Sequence, residues 1–367
     1  MNTKNIQTFG ISCGKVSECH AIIHADILDG SFEKQLANVM AHKQTLLESD
    51  EGRGAVPVFM RFFVSDAANQ ASALRAAVGD EKCAVSIVEQ PPLDGTKVAL
   101  WLWLQTGVEV NGDSEFSVVR GGEYDQCFLA SCKDSTGVTT SKAQMNHIFL
   151  DYGRMLAQEG MSVKDNCVRT WIYVQNIDVN YNGIVRARNE YFSRNGLTAD
   201  THFIASTGIQ GRGENYNDYV SMDAYALKGI PEDKLQYLYA KEYLNPTYEY
   251  GVSFERGTCV HLSDRRYVFI SGTASIDNNG EVLYIGNVRK QVERACVNVE
   301  ALLAEAKCGF ADVAQMIVYL RDPSDYDAVK AMYDEKFPNV PKVIVLAPVC
   351  RPTWLIEMEC IAVKKNR

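Results

Sequence analysis

Residues 291–338 read QVERACVNVEALLAEAKCGFADVAQMIVYLRDPSDYDAVKAMYDEKFP. Apolar side chains recur every three to four positions from Val292 to Leu302, which predicts an amphipathic helix. The β-branched and aromatic run at 316–320 predicts a strand. A polar turn at 322–325, of the kind that caps helices, precedes the helical pattern of 326–337. The segment is therefore expected to form helix, strand and helix in that order.

The same order of elements occurs three times in the chain, and such a repeat decides the architecture. The first helices of the other two copies are SFEKQLANVMAHKQTLLES (31–49) and SKAQMNHIFLDYGRMLAQEG (141–160). The spacing from helix to strand is nearly constant: Leu46 to Phe63, Leu156 to Tyr173 and Leu303 to Tyr319. Each copy opens with a strand and closes with an apolar strand, VALWLWLQ, DYVSMDAYAL or WLIEMECIAV.

These patterns predict an α+β fold of three tandem units, each a β-sheet with two helices on one face. The boundaries are expected at 1–107, 108–229 and 250–367, with a Tyr-rich connector at 230–249. One face of every sheet must still be covered. Three copies in one chain can cover one another around a pseudo-threefold axis, as a homotrimer does. We therefore expect an intramolecular pseudotrimer that is a monomer in solution.

The composition excludes several classes of function. The 367 residues include 37 Lys and Arg against 46 Asp and Glu, so the net charge is −9. Such a field opposes nucleic acid and anionic membranes. The 11 cysteines are scattered, and no run of apolar residues is long enough to span a bilayer, which favours a cytoplasmic protein with reduced thiols. No nucleotide-binding or zinc motif occurs, and we expect neither a cofactor nor a metal.

Copy three resembles the Rid family (YjgF, endoribonuclease L-PSP) in FISGTAS (269–275), in the segment 291–338 and in IEMECIAV (356–363). Rid proteins are homotrimers with a chorismate-mutase-like fold and sites between subunits. The resemblance thus implies a trimer fused into one chain. Rid deaminases hold a substrate carboxylate with an Arg after the second helix. The aligned residue here is Lys342, which lacks the bidentate fork of Arg.

A narrower resemblance is to the chorismatases, Rid-fold fusions that hydrolyse chorismate. VCRPTWLIEMECIA (349–362) is similar to their signature strand, and VRTWIYVQNI (168–177) and NPTYEYGVSFERG (245–257) resemble further segments. The resemblance implies cleavage of chorismate to pyruvate and a hydroxybenzoate. It also implies one site, where copies two and three meet beside the connector.

Glu357 is the strongest catalytic candidate. It interrupts an apolar strand, and alternation places it on the same side as Glu359. The aligned residue of copy two is Ser221, and the strand of copy one is apolar there. A carboxyl between apolar walls has a raised pKa, which suits a general acid at neutral pH. The alternative is a solvent-exposed carboxylate with no role.

Cys350 is the second catalytic candidate. Its position matches that of a Cys in chorismatases that release an aromatic hydroxybenzoate, so the resemblance favours 3-hydroxybenzoate, with 4-hydroxybenzoate as a further product. A thiol there could steer the intermediate or, if ionised, act as a nucleophile. The alternative is an inert packed cysteine.

The remaining candidates would bind a small anionic substrate such as chorismate, whose two carboxylates suit planar guanidinium groups. Any one of these cations could instead be a solvated surface charge, and any aromatic residue a core residue. Gly272 could let a ligand approach the backbone closely, or simply form a turn. The candidate binding residues are Arg351, Arg256, Arg321, Arg169, Lys342, Tyr250, Tyr173 and Gly272.

Two other functions stay open on the sequence. A Rid-type enamine or imine deaminase would be favoured by an Arg at position 342, where Lys342 stands. A non-catalytic small-molecule binder would be expected if Glu357 faced bulk water. A ribonuclease is disfavoured, because the chain is acidic and has no basic stripe.

Overall fold

A computed structural model describes residues 5–26 and 30–366, apart from the side chain of Tyr250. It contains three mixed sheets that follow one another along the chain, each with helices packed on one face. We call each sheet with its helices a unit. The α+β architecture of three tandem units is therefore confirmed. No helix in the described ranges is long and apolar enough to cross a membrane.

The first unit contains a five-stranded sheet of order β1-β2-β5-β3-β4, in which β3 and β4 are parallel. Both helices begin at capped residues: Ser31 Oγ accepts from Lys34 N, and the Asp66 carboxylate accepts from Asn69 N. The elements are β1 Ile6–Cys13, β2 Val16–His24, α1 Phe32–Glu48, β3 Ala55–Val64, α2 Ala67–Val78, β4 Ala84–Glu89 and β5 Val98–Thr106.

The second unit contains a six-stranded sheet of order β10-β9-β11-β8-β7-β6, with β9 and β10 parallel. Its first long helix is capped by Thr140, whose hydroxyl accepts from Ala143 N. The elements are β6 Glu109–Gly112, β7 Phe116–Arg120, β8 Asp125–Lys133, α3 Ser141–Gln158, the short α4 Val163–Asn166, β9 Cys167–Val174, α5 Ile177–Arg194, β10 Ala205–Gln210 and β11 Val220–Lys228.

The third unit contains a six-stranded sheet of order β12-β13-β14-β17-β15-β16, with β15 and β16 parallel. Its edge strand β12 comes from the predicted connector, since Leu235–Leu238 pairs antiparallel with Gly257–Val260. The elements are β12 Leu235–Leu238, β13 Gly257–His261, β14 Arg265–Ala274, α6 Val288–Glu305, β15 Val313–Leu320, α7 Tyr326–Lys336, β16 Lys342–Leu346 and β17 Ile356–Lys365.

The two faces of each sheet are buried in different ways, as β5 illustrates. Leu100 and Leu102 pack under the helices of the first unit. Trp101 and Trp103, which alternate with them, join a central core that includes Phe128 of the second unit and residues of the third. The sheets therefore cover one another around a common centre, which explains why β5 reads as a continuous apolar run.

The interface between the second and third units brings the edge strand β10 against β14. Ser206 N donates to Ser271 Oγ at 2.9 Å, and Ser271 Oγ donates to Glu255 O at 2.6 Å. The pairing of β14 with β17 shifts register between Ile270 and Thr273, which marks a bulge at Ser271 and Gly272. The bulge opens the sheet at this interface.

Candidate functional site

A cavity of about 220 Å³ lies at the interface between the second and third units. The second unit contributes α5 and β10, and the third contributes β14, β17 and the loop before β17. The segment after the one-turn helix Thr247–Tyr250 closes one side. The lining residues are Tyr181, Arg188, Ser206, Thr207, Gly208, Val252, Phe254, Arg256, Gly272, Ala274, Ile276, Cys350, Arg351, Trp354 and Glu357.

Glu357 lies on β17 at the wall of this cavity and is 5% exposed. Its neighbours across the sheet are Ala274 on β14 and Tyr319 on β15. The carboxyl lies over the bulge, because a Cβ at Gly272 would be 2.2 Å from Glu357 Oε1. Gly272 is therefore required for the approach of a side chain, whereas the sequence indicated the approach of a ligand.

Burial is the main cause of the raised pKa of Glu357. Desolvation, reinforced by the negative charge of Glu359, raises its pKa to about 8, although Arg169 and Arg256 act in the opposite direction. None of the hydrogen bonds among the described residues involves the Glu357 carboxyl. A carboxyl in this state is protonated at neutral pH and faces a cavity, which is what a general acid requires.

Glu359, two residues further along β17, has different surroundings. Its Oε2 accepts from Arg169 Nη2 at 2.7 Å and from the Thr207 hydroxyl in a short contact. Its Oε1 accepts from Trp171 Nε1 at 2.6 Å. All three partners belong to the second unit, so the Glu359 carboxylate joins the two units directly behind the cavity.

Three guanidinium groups face the cavity. Arg256 is held by the carbonyl oxygen of Asn245 at 3.0 and 3.2 Å and by its Oδ1 at 3.1 Å. Arg351 stacks over the Trp354 ring at 4.6 Å. Arg188, on α5, is 2% exposed, and its Nε and Nη2 have no hydrogen-bonding partner within the described residues. A buried guanidinium in this state is suited to an anionic ligand.

Cys350 also lines the cavity, beside Glu357 and Tyr181. Burial, with the nearby Glu357 as a further cause, raises the pKa of the thiol to about 12. The thiol is therefore neutral at physiological pH. Of the two roles considered from the sequence, this state favours contact with a reacting ring over nucleophilic attack.

Three further predicted binding residues, all cationic, lie outside the lining of this cavity. Arg169 is behind it, paired with Glu359. Arg321 pairs with Asp178 of α5 at 2.8 Å on a more exposed part of the same interface. The ammonium of Lys342 lies 3.3 Å from Asp334 and donates to a backbone carbonyl.

Tyr173, a predicted ring contact, is fully buried in the central core. Its hydroxyl donates to Asp223 Oδ2 at 3.2 Å. The side chain of Tyr250 lies outside what the structure describes. Tyr173 therefore does not line the cavity.

Arg188 is a cavity-lining residue that the sequence patterns did not single out. Its signal is nevertheless present, because Ile184, Arg188 and Phe192 recur at intervals of four and are all buried. An Arg at a core-facing position of an amphipathic helix indicates either a buried ion pair or a ligand. Thr207 and Phe254 carry no comparable signal, since their position depends on how the units pack.

Comparisons with known proteins concern the third unit and the fold of the whole chain. The family model Endoribonuclease L-PSP matches residues 258–364. A RutC family protein of Pyrococcus abyssi is 33% identical over 101 residues, which cover 27% of this chain and 80% of the relative. The 3-aminoacrylate deaminase RutC of Acinetobacter baylyi is 29% identical over 97 residues, covering 26% of this chain and 77% of the relative.

The whole chain also has a structural counterpart. The crystal structure of a chorismatase superposes with a TM-score of 0.68 and covers 96% of this chain and 99% of that one, at 18% sequence identity. At this identity the likeness concerns the fold, which is again that of three fused units. Through its third unit, the chain belongs to the Rid family, which includes the RutC and L-PSP proteins.

Proposed function

We propose that the chain is a chorismatase-like enzyme that cleaves chorismate to pyruvate and a hydroxybenzoate, with 3-hydroxybenzoate favoured and 4-hydroxybenzoate as a further product. The observation that carries the proposal is Glu357, a carboxyl with a pKa raised to about 8 at the wall of a cavity rich in guanidinium groups. The fold shared with a chorismatase over the whole chain supports it.

The chemistry begins with proton transfer from Glu357. Chorismate contains an enol ether, and protonation of its terminal methylene carbon generates an oxocarbenium ion. The Glu357 carboxylate that remains stabilises this cation across a short, poorly solvated distance. Water adds to the oxocarbenium carbon, the C–O bond to pyruvate breaks, and loss of one water makes the ring aromatic. Pyruvate and hydroxybenzoate together therefore contain the atoms of chorismate.

Substrate binding would use the cations of the cavity. Arg188, Arg256 and Arg351 supply three positive groups for the two carboxylates of chorismate. Phe254 and Trp354 offer apolar surface for the ring, and each lies under a guanidinium at 5.7 or 4.6 Å. The Cys350 thiol is neutral and would contact the ring, where it would influence which hydroxyl is retained.

The direct test is to incubate the purified protein with chorismate and to measure pyruvate and hydroxybenzoate by chromatography. Glu357→Gln should lower turnover by about 10²–10⁴-fold while the circular dichroism spectrum is retained, because the amide cannot donate the proton. Glu255→Gln is the matched control: Glu255 is equally buried but accepts from Phe203 N outside the cavity lining. Absence of pyruvate release by the unmodified protein would refute the proposal.

A deaminase activity is the competing outcome, because one relative is a 3-aminoacrylate deaminase. The same protein should therefore be assayed for ammonia release from an enamine substrate. Lys342, at the position of the Arg that Rid deaminases use, has its ammonium beside Asp334 and away from the Glu357 cavity. We accordingly expect pyruvate and no ammonia; the reverse result would replace the proposed reaction.

We also propose that the enzyme is cytoplasmic and that it works as a single chain. All 11 cysteines are unpaired thiols, as a reducing compartment keeps them. Three units already occupy the places of three subunits, so sedimentation should give the mass of one chain.

A further inference from the structure

Glu359 makes an unusually complete set of contacts for a residue beside a proposed acid. Arg169, Trp171 and Thr207 all donate to its carboxylate, and the ion pair with Arg169 is 2% exposed or less on both sides. Every donor comes from the second unit, whereas Glu359 and Glu357 lie on one strand of the third. The contacts thus fix β17 against the neighbouring unit at this point.

Thr207 extends these contacts to the bulge under Glu357. Its Oγ1 accepts from Arg169 Nη2 at 2.5 Å and from Gly272 N at 2.8 Å, while its own hydroxyl donates to Glu359. The Glu357 carboxyl lies directly over Gly272. A continuous path of hydrogen bonds therefore leads from Glu359 to the backbone that supports Glu357.

The charges around Glu357 come from several elements. Glu359 on its own strand and Arg169 on β9 lie behind it, and Arg256 lies on the segment before β13. The cavity adds Arg188 of α5 and Arg351 of the preceding loop. The Cys350 thiol and, across the strand, the Tyr319 hydroxyl are neutral at physiological pH, because burial raises the pKa of both groups. Tyr181 also lines the cavity.

We propose that Glu359 is a positioning residue for Glu357: it neutralises Arg169 behind the cavity and, through Thr207 and Gly272, fixes the Glu357 carboxyl over the bulge. The inference rests on the proposed role of Glu357 as the acid. With the charge of Glu359 removed, Arg169 would still favour the ionised form of Glu357 while the opposing charge of Glu359 was gone, so Glu357 would lose its proton at lower pH. Its role as an acid at neutral pH would then be lost.

The interface between the first and second units provides a matched control. Asp223 of β11 is fully buried and accepts from Arg61 Nε at 3.0 Å, from Tyr173 and from Ser131 N. It occupies a position like that of Glu359, but Ser221 stands two residues before it, where β17 has Glu357. Asp223→Asn should therefore disturb a comparable ion pair without affecting a proposed acid.

The first experiment needs no substrate. The unfolding free energy of the protein and of Glu357→Gln is measured by urea denaturation across the pH range, with and without Glu359→Gln. A carboxyl whose pKa is raised from 4.5 to about 8 lowers stability progressively between those values, and the difference between the two proteins reports this titration. We expect Glu359→Gln to shift the titration to lower pH and Asp223→Asn to leave it unchanged.

The second experiment separates charge from position. Glu359→Asp keeps the charge but shortens the side chain, so kcat should fall about 10²-fold with the pH profile retained. Thr207→Val should lower kcat in the same way with little change in KM. Thr96→Val is its control, since Thr96 is also buried and its hydroxyl donates to a carboxylate, Asp94, at 2.6 Å in the first unit.

The outcomes are decisive in both directions. An unshifted titration in Glu359→Gln would overturn the charge part of the inference, even if chorismate is cleaved. A shifted titration without chorismate cleavage would support the effect of the Glu359 charge on Glu357 and would reject the proposed reaction. If Glu359→Gln does not fold, Thr207→Val decides: activity equal to that of Thr96→Val would overturn the positioning role.

Discussion

Two carboxyl groups on one face of β17 have opposite surroundings. Glu359 receives three hydrogen bonds from the second unit, whereas Glu357 receives none within the described residues and faces the cavity. The surroundings of Glu357 raise its pKa to about 8, which suits this carboxyl to proton transfer. At the scale of single residues, the site is therefore defined by Glu357, the carboxyl that has no hydrogen-bonding partner within the described residues.

The raised pKa of Glu357 predicts that both kcat and the stability of the fold depend on pH. Its pKa of about 8 implies that kcat falls as the pH rises through about 8, because the acid is deprotonated above this value. Stability should change as well: the unfolded carboxyl ionises near 4.5, so the unfolded state binds fewer protons between 4.5 and about 8 and the folded state loses stability there. A kcat–pH profile tests the first effect. A profile that is flat through this range would contradict it.

We expect the Arg188 guanidinium to contribute to the binding of chorismate. The guanidinium is buried, and two of its nitrogens have no hydrogen-bonding partner within the described residues. An anionic ligand would supply the missing acceptors. Arg188→Met should raise KM for chorismate by about 10–100-fold, the value of a charge-assisted hydrogen bond of about 1.5–3 kcal/mol. Arg321→Met is the control, since Arg321 already pairs with Asp178 outside the cavity lining. Equal KM values for the two variants would argue against Arg188 as a ligand.

At the scale of elements, the bulge in β14 determines the geometry of the site. Ser271 on the bulge bonds to Ser206 of β10 and to Glu255, which ties the strand to the second unit and to the segment before β13. Gly272, the next residue, leaves the space that the Glu357 carboxyl occupies. Any side chain at position 272 would occupy this space, so the glycine in the bulge is what lets the Glu357 carboxyl lie against the cavity.

The bulge leads to a prediction about Gly272→Ala. The added Cβ would lie 2.2 Å from Glu357 Oε1 and 3.0 Å from Thr207 Cγ2, so the carboxyl must move. We expect kcat to fall about 10²-fold, the cost of a displacement near 1 Å, while the circular dichroism spectrum is retained. Gly213→Ala, whose Cβ would meet nothing within 4 Å, should keep full activity. Retained activity in Gly272→Ala would show that this contact is unimportant.

At the scale of the whole molecule, the interfaces between units differ in what they contain. The first and second units are joined by the buried Arg61–Asp223 ion pair and by the Arg75–Glu214 and Arg212–Glu89 ion pairs. The first and third are joined by the buried pair of Glu18 and Arg265 at 2.9 Å. The interface of the second and third contains the acid and the cavity. Fusion into one chain allows this asymmetry, which identical subunits cannot have.

The two kinds of ion pair should differ in their effect on stability. Arg265→Met leaves the Glu18 carboxylate buried without its guanidinium partner, and we expect a loss of about 3–5 kcal/mol in the free energy of unfolding. Arg75→Met removes a half-exposed pair, and the loss should be below about 1 kcal/mol. Urea denaturation followed by tryptophan fluorescence measures both. Similar losses would contradict a structural role for the buried pair.

The local patterns of the sequence determined the repeated unit. Periodicity, caps and β-branched runs are short-range properties, so helices and strands such as α6 and β15 lie close to where the patterns place them. The interruption of an apolar strand by Glu357 likewise needs no structure to be noticed, nor does the alternation that pairs it with Glu359.

Only the tertiary structure decided which cations surround that acid. Arg188 and Thr207 reach the cavity from the second unit, more than 140 residues away in the sequence, whereas Arg321 and Lys342 lie nearer in sequence but bind other carboxylates. Distances between separate units depend on how their sheets pack around a common centre, and no local pattern encodes this packing. The chemistry of one side chain is thus visible in the sequence, while its electrostatic surroundings are a property of the assembled fold.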